Sequence, residues 1–171
     1  MTRALRLAIG DTVVYRSYGA GPIAARESRV IGGTRQEVVV LALARGLTVE
    51  LPLPRARELL RPLASESDLV RVQKALRTDQ PRVDGSWLKR QRASLASLNE
   101  GDPVGLADII RNSTRRAAAD PPTSREPKQP QWEQEIATKA RSLLSTEIAL
   151  VRDIEPEEAN SWIDQQLDRR P

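Results

Sequence analysis

The sequence predicts an α+β chain of two domains: a small N-terminal β module over residues 1–62 and an all-α domain of about five helices over 63–171. Three observations predict this. Short runs rich in β-branched residues, punctuated by glycines, fill residues 10–62. Near Pro62 the apolar period changes from two to 3.6 and stays there. The charge also shifts. Residues 1–62 carry ten basic and five acidic groups, residues 63–119 ten and seven, and residues 120–171 seven and eleven, so the last part alone is acidic.

GDTVVY is a short apolar run beginning at Gly10. Gly19, Gly21 and Pro22 mark a loop in YGAGP. IAARESRVI ends at Gly32-Gly33, a two-residue hairpin signal, and QEVVVLAL is rich in β-branched residues. Gly46 turns the chain into LTVELPL. There Leu47, Val49, Leu51 and Leu53 point one way and Thr48, Glu50 and Pro52 the other. Pro52 cannot donate to a ladder, which sets this strand at an edge or ends it. Four or five short strands in about 50 residues fit a small barrel or strongly bent antiparallel sheet.

Beyond Pro62, Ser65 or Ser67 caps a helix carrying Leu69, Val72 and Leu76. TDQPRVDG, from Thr78, breaks it. The next helix runs from about Ser86 to Glu100, with Leu88, Leu95 and Leu98 on one face and Arg90 on the far side. Gly101-Asp102-Pro103 ends it and starts another, with Leu106, Ile109 and Ile110 as its stripe. Arg111, Arg115 and Arg116 cluster there, either as a solvated helix end or as a phosphate contact. DPPTSREPKQPQ, residues 120–131, is a Pro-rich loop within the helical domain. The longest helix follows, from about Trp132 to Arg152, with Ile136, Leu143, Leu144, Ile148 and Val151. A last one, from about Glu155 to Leu167, carries Trp162 and Ile163. Trp132 and Trp162 sit at helical spacing from aliphatics and read as core.

The chain has no Cys and no His. Disulfides, thiol nucleophiles and the common zinc sites are thereby excluded, and so is the side chain best suited to acid–base work near neutral pH. No Gly-rich phosphate loop, nucleophile elbow or metal-ligand cluster is visible. Asp153, Glu155, Glu157 and Glu158 match no calcium loop. Neither enzyme activity nor a cofactor is expected. No run approaches the ~20 apolar residues that span a bilayer, so a cytoplasmic protein is expected. No exposed heptad seam is apparent, so a monomer is expected. Arg outnumbers Lys 23 to 4, a bias that genome composition can produce, so no single Arg carries weight alone.

With three Trp, two Tyr and no Phe, each Trp must be questioned individually. Trp87 opens the stretch DGSWLKRQRASLASL, and Lys89, Arg90 and Arg92 follow at once. Two roles are open. Trp87 is a core anchor and the cations a solvated face, or the ring and the cations meet the bases and phosphates of a nucleic acid. Trp87 lies near the margin of the leucine face, a position that permits exposure.

The order of parts resembles the CarD/CdnL family of bacterial RNA polymerase-binding transcription regulators. GDTVVY, YGAG, the Gly-Gly hairpin, VVVLAL and LTVELP resemble its N-terminal module, shared with the transcription-repair coupling factor. SWLKRQRASLASLNEGD, LADIIRNSTRR and ATKARSLLSTEIAL resemble successive helical segments, so the likeness runs from about Ile9 to Leu167. It implies a Tudor-like module docking on the polymerase β subunit and a helical domain on promoter DNA at the upstream edge of the transcription bubble. A Trp there wedges into the minor groove and stabilises the open complex. It implies Trp87 as the wedge, with Lys89, Arg90 and Arg92 holding the backbone, and localisation at the nucleoid through the polymerase. Net +3 over residues 63–119 is modest, so binding to duplex alone should be weak.

The departures fall in both domains. Of two polymerase-contacting arginines that the resemblance implies, the first matches Arg29 and the second falls at Glu50. An anion there would meet like charge on an unchanged partner, unless Arg45, Arg55 or Arg57 compensates. The Gly46 turn is one residue shorter than the family pattern, and Gln91 stands where an aromatic often follows the basic run. The alternative is the same fold with lost or altered polymerase docking, serving a different protein partner.

Overall fold

The computed structural model describes residues 5–79, 85–119 and 130–169. Asp84, most of the TDQPRVDG break and nearly all of the Pro-rich stretch lie outside them. The chain divides into two compact units, Met1–Leu63 and Ala64–Pro171.

The first unit holds strands β1 (Thr12–Tyr15), β2 (Gly19–Ile31), β3 (Thr34–Ala42) and β4 (Thr48–Pro52), helix α1 (Leu53–Leu59) and strand β5 (Leu60–Pro62). The strands form one antiparallel sheet in the order β4-β3-β2-β1-β5. β4 is an edge strand and ends at Pro52, as a missing N–H requires. Gly32 and Gly33 both adopt positive φ, 59° and 80°, and close the β2–β3 hairpin. A register shift between Ile23 and Ala25 bends β2. Leu7, Val13, Ile23, Val39, Leu41, Leu43 and Leu51 bury one face of the sheet.

Two expectations change in this unit. Gly19 to Pro22 of YGAGP are strand rather than loop, because β2 begins at Gly19 and the turn is the short 3-10 segment Arg16–Tyr18. Gly21 marks a close approach of two backbones, since a Cβ there would lie 2.2 Å from the Ala42 carbonyl oxygen. Pro22 pairs with Thr12, and pairing with β3 begins only at Ile23. Helix α1 was not foreseen. Pro54 sits at its start, and its single fully buried residue is Ala56, too little apolar pattern to read as a helix.

The second unit consists of α2 (Glu66–Arg77), α3 (Trp87–Glu100), α4 (Pro103–Ala119), α5 (Gln131–Arg152) and α6 (Pro156–Asp168). Ser65 opens α2 with a capping box: its hydroxyl accepts from the Asp68 N–H, and the Asp68 carboxylate accepts from the Ser65 N–H. Gly101, at φ 66°, closes α3, and Asp102 caps α4 by accepting from Val104 and Gly105. The core is aliphatic: Leu69, Val72, Leu76, Leu106, Ile110, Leu144, Ile148 and Ile163. Trp132 and Trp162 pack against it half-buried, and the Arg152 guanidinium lies 4.6 Å above the Trp162 ring. No helix among the described residues is long and apolar enough to cross a membrane.

Candidate nucleic-acid and protein interfaces

α3 begins where Ser86 accepts from the Lys89 N–H with its hydroxyl and from the Arg90 N–H with its carbonyl. Trp87 occupies the first turn and is 53% exposed. Lys89 and Arg92, two and five residues further along the helix, are exposed on other sides of it, and neither is ion-paired among the described residues. An uncovered indole, two free cations and a helix N-terminus thus share one end of α3.

Two expectations about α3 are corrected. Leu88 and Leu95 do not face the core; they are 46% and 39% exposed, and only Leu98 of the three leucines is buried. Arg90 does not stand on the far side. It is half-buried, lines a groove with Ser94, Ile109, Trp132 and Glu133, and donates from Nη1 to the Gly85 carbonyl at 2.6 Å. The inward face runs through Arg90, Ser94, Ser97 and Leu98, the row spaced by three and four. Its small residues allow close helix packing: a Cβ on Gly105 of α4 would touch Ser97 Cβ at 3.6 Å. Choosing the face by its leucines missed this.

The arginines of α4 are already committed. Arg111 is 3% exposed; its Nη1 donates to the Ala75 carbonyl and pairs with Asp108, each at 2.7 Å. Arg115 pairs with Asp79 at 3.1 Å, and Arg116 with Glu133 at 3.1 Å. All three are thus paired within the chain rather than left as free cations. Glu133, 7% exposed in the first turn of α5, escaped the sequence reading, which tracked aliphatics in that helix.

On the outward face of the sheet, Arg29 and Glu50 meet. Arg29 donates from Nη1 to Glu50 Oε2 at 2.7 Å, and from Nε and Nη2 to Glu27 Oε2 at 3.0 and 2.7 Å. The Glu27 bond, then the negative charge of Glu50, raises the Arg29 pKa above its ordinary value. Glu27 was missed. The signal was present, because residues two apart on a strand share a face. Arg45 stands in the exposed β3–β4 turn at φ 62°, and Arg55 pairs with Glu58 on α1 at 2.9 Å; neither joins the cluster. Among the described residues, no group of three or more acidic, His or Cys side chains is placed to hold a metal.

Two family models match the chain. The model for the CarD-like/TRCF RID domain matches residues 7–64, and the model for the CarD C-terminal domain matches residues 71–164. The two spans cover the Tudor-like sheet unit and the helices from α2 into α6, in that order. The second alone spans more than half of the sequence, and the protein is therefore a member of the CarD family, a transcription factor of the CarD/CdnL type.

Proposed function

We propose that the protein binds the β subunit of RNA polymerase through its sheet unit and lays the N-terminal end of α3 on promoter DNA. Trp87 wedges into the minor groove at the upstream edge of the bubble and alters the stability of the open complex. The observation that carries this reading is the 53% exposure of Trp87, at a capped helix start whose first two turns also expose Lys89 and Arg92. An apolar or aromatic wedge exploits a deformable base step, while cations on phosphates fix register without reading sequence. Lys89 and Arg92 take the phosphate role, and Arg90 holds the turn beneath the ring. Few free cations make for weak binding to duplex alone, so delivery by the polymerase supplies the effective concentration. The test is the lifetime of promoter complexes formed with polymerase from the same source. Trp87→Ala should shorten it, and an unchanged lifetime would remove the wedge.

A second reading keeps the fold and exchanges the partner. The Arg29–Glu50 pair favours it, because the cation implied for polymerase contact is bound within the chain. Under this reading the wild type does not bind polymerase and Glu50→Arg gains binding; equal binding by both would eliminate it.

A further inference from the structure

Strands β2, β3 and β4 carry Glu27, Arg29 and Glu50 on their outward face, and the register sets only uncharged residues of β3 beside them, Thr34, Gln36, Val38 and Val40. Glu27 stands opposite Val38 and Glu50 opposite Val40, close enough across a ladder for direct contact. Val38 and Val40 are 2% and 9% exposed although the sheet's main core lies on its other face. The two carboxylates therefore flank a closed apolar floor, and Arg29 stands opposite Gln36.

Within the cluster, the Nε/Nη2 edge of the Arg29 guanidinium is filled by Glu27 and its Nη1 by Glu50. Each carboxylate spends a single oxygen, Oε2, on Arg29, and Oε1 is left over on both. Both side chains are 45% exposed. The cluster is net −1, three of the five N–H donors of its cation are spent within it, and its spare acceptors belong to the anions. An incoming carboxylate would meet two like charges around a guanidinium already paired with both. An incoming cation would meet two spare oxygens held at fixed spacing.

We propose that this face docks a protein surface presenting an arginine or lysine to the Glu27–Arg29–Glu50 cluster. The proposal rests on the sheet unit being the polymerase-docking unit, and makes the polymerase surface opposite this point cationic. Arg29 is then a positioning residue. It holds two mutually repelling carboxylates together rather than meeting the partner itself.

The experiment titrates the full-length protein against RNA polymerase holoenzyme from its own source, by interferometry at two salt concentrations. Glu50→Gln, Glu50→Arg and Arg29→Gln are run alongside. Exposed ion pairs contribute little to stability, so all variants should fold, which a thermal melt verifies. The expected result is wild-type binding that Glu50→Gln weakens, that Glu50→Arg weakens by about tenfold or more as like charges are juxtaposed, and that Arg29→Gln weakens only slightly, because both carboxylates remain but are no longer held together. Strengthening by Glu50→Arg, or abolition by Arg29→Gln, overturns the cationic partner while leaving polymerase docking intact. Absence of binding in every variant overturns the docking itself and the proposal with it.

Discussion

Helices α3 and α4 each carry three cations, and the fold disposes of them differently. On α4, Arg111 donates to a backbone carbonyl of α2 and pairs with Asp108, while Arg115 and Arg116 pair with Asp79 and Glu133. On α3, Arg90 is turned inward, and Lys89 and Arg92 remain in solvent. A cation can meet a phosphate only when its own chain has not already taken its donors. By that criterion the α4 cluster serves the fold, and the α3 pair is left available to a partner. The sheet face repeats the lesson, since Arg29 is exposed yet paired with two carboxylates.

Four measurements test this contrast. The largest effect is expected from Trp87→Ala, which should shorten promoter-complex lifetime about tenfold, in line with about 1–3 kcal/mol for an aromatic stacked on a base. Its unfolding midpoint should hold, because the ring is half in solvent. Arg111→Leu should do the reverse. It leaves the Ala75 carbonyl without its donor and should cost about 1–3 kcal/mol in urea unfolding, with DNA contact unaffected. Lys89→Ala and Arg92→Ala should change stability by less than about 0.5 kcal/mol, yet each should lower the salt slope of DNA binding in the polymerase complex by about 0.9. A shift in stability instead would show that α3 resembles α4. The α2 cap supplies a control away from both clusters. Ser65→Ala should cost about 1 kcal/mol.

That cap also has a pH dependence. The Ser65 N–H, then the Ser65 hydroxyl, lower the Asp68 pKa from its ordinary 3.8. A carboxylate depressed in the folded state stabilises it above the unfolded value. That contribution disappears as pH falls from 3.8 through the folded value. The wild type should therefore lose slightly more stability on acidification than Ser65→Ala, as acid-titrated melts would register.

Much of the architecture was legible because local chemistry and packing agree. The Gly32-Gly33 hairpin, the Pro52 strand end, the Ser65 cap and the Gly101-Asp102-Pro103 junction each stand where turn and cap residues put them. What escaped was decided across the fold. Helix α1 has too few apolar residues to announce itself, and the inward side of α3 is chosen by small serines that permit close approach rather than by the largest side chains. The candidate site was partly legible. Trp87, Lys89 and Arg92 were named from the sequence, whereas the inward turn of Arg90 and the closing of Glu27 and Glu50 around Arg29 depend on residues brought together by tertiary structure.

The bond from Arg90 to the Gly85 carbonyl has a kinetic meaning beyond geometry. Together with the Ser86 cap it ties down both sides of the turn from which Trp87 projects. In the proposed wedge, this leaves less backbone freedom around Trp87 to be lost when the ring enters a groove. Binding energy that would otherwise order the turn is released to residence time, so Arg90, though turned away from the solvent side of α3, should govern how slowly the wedge leaves.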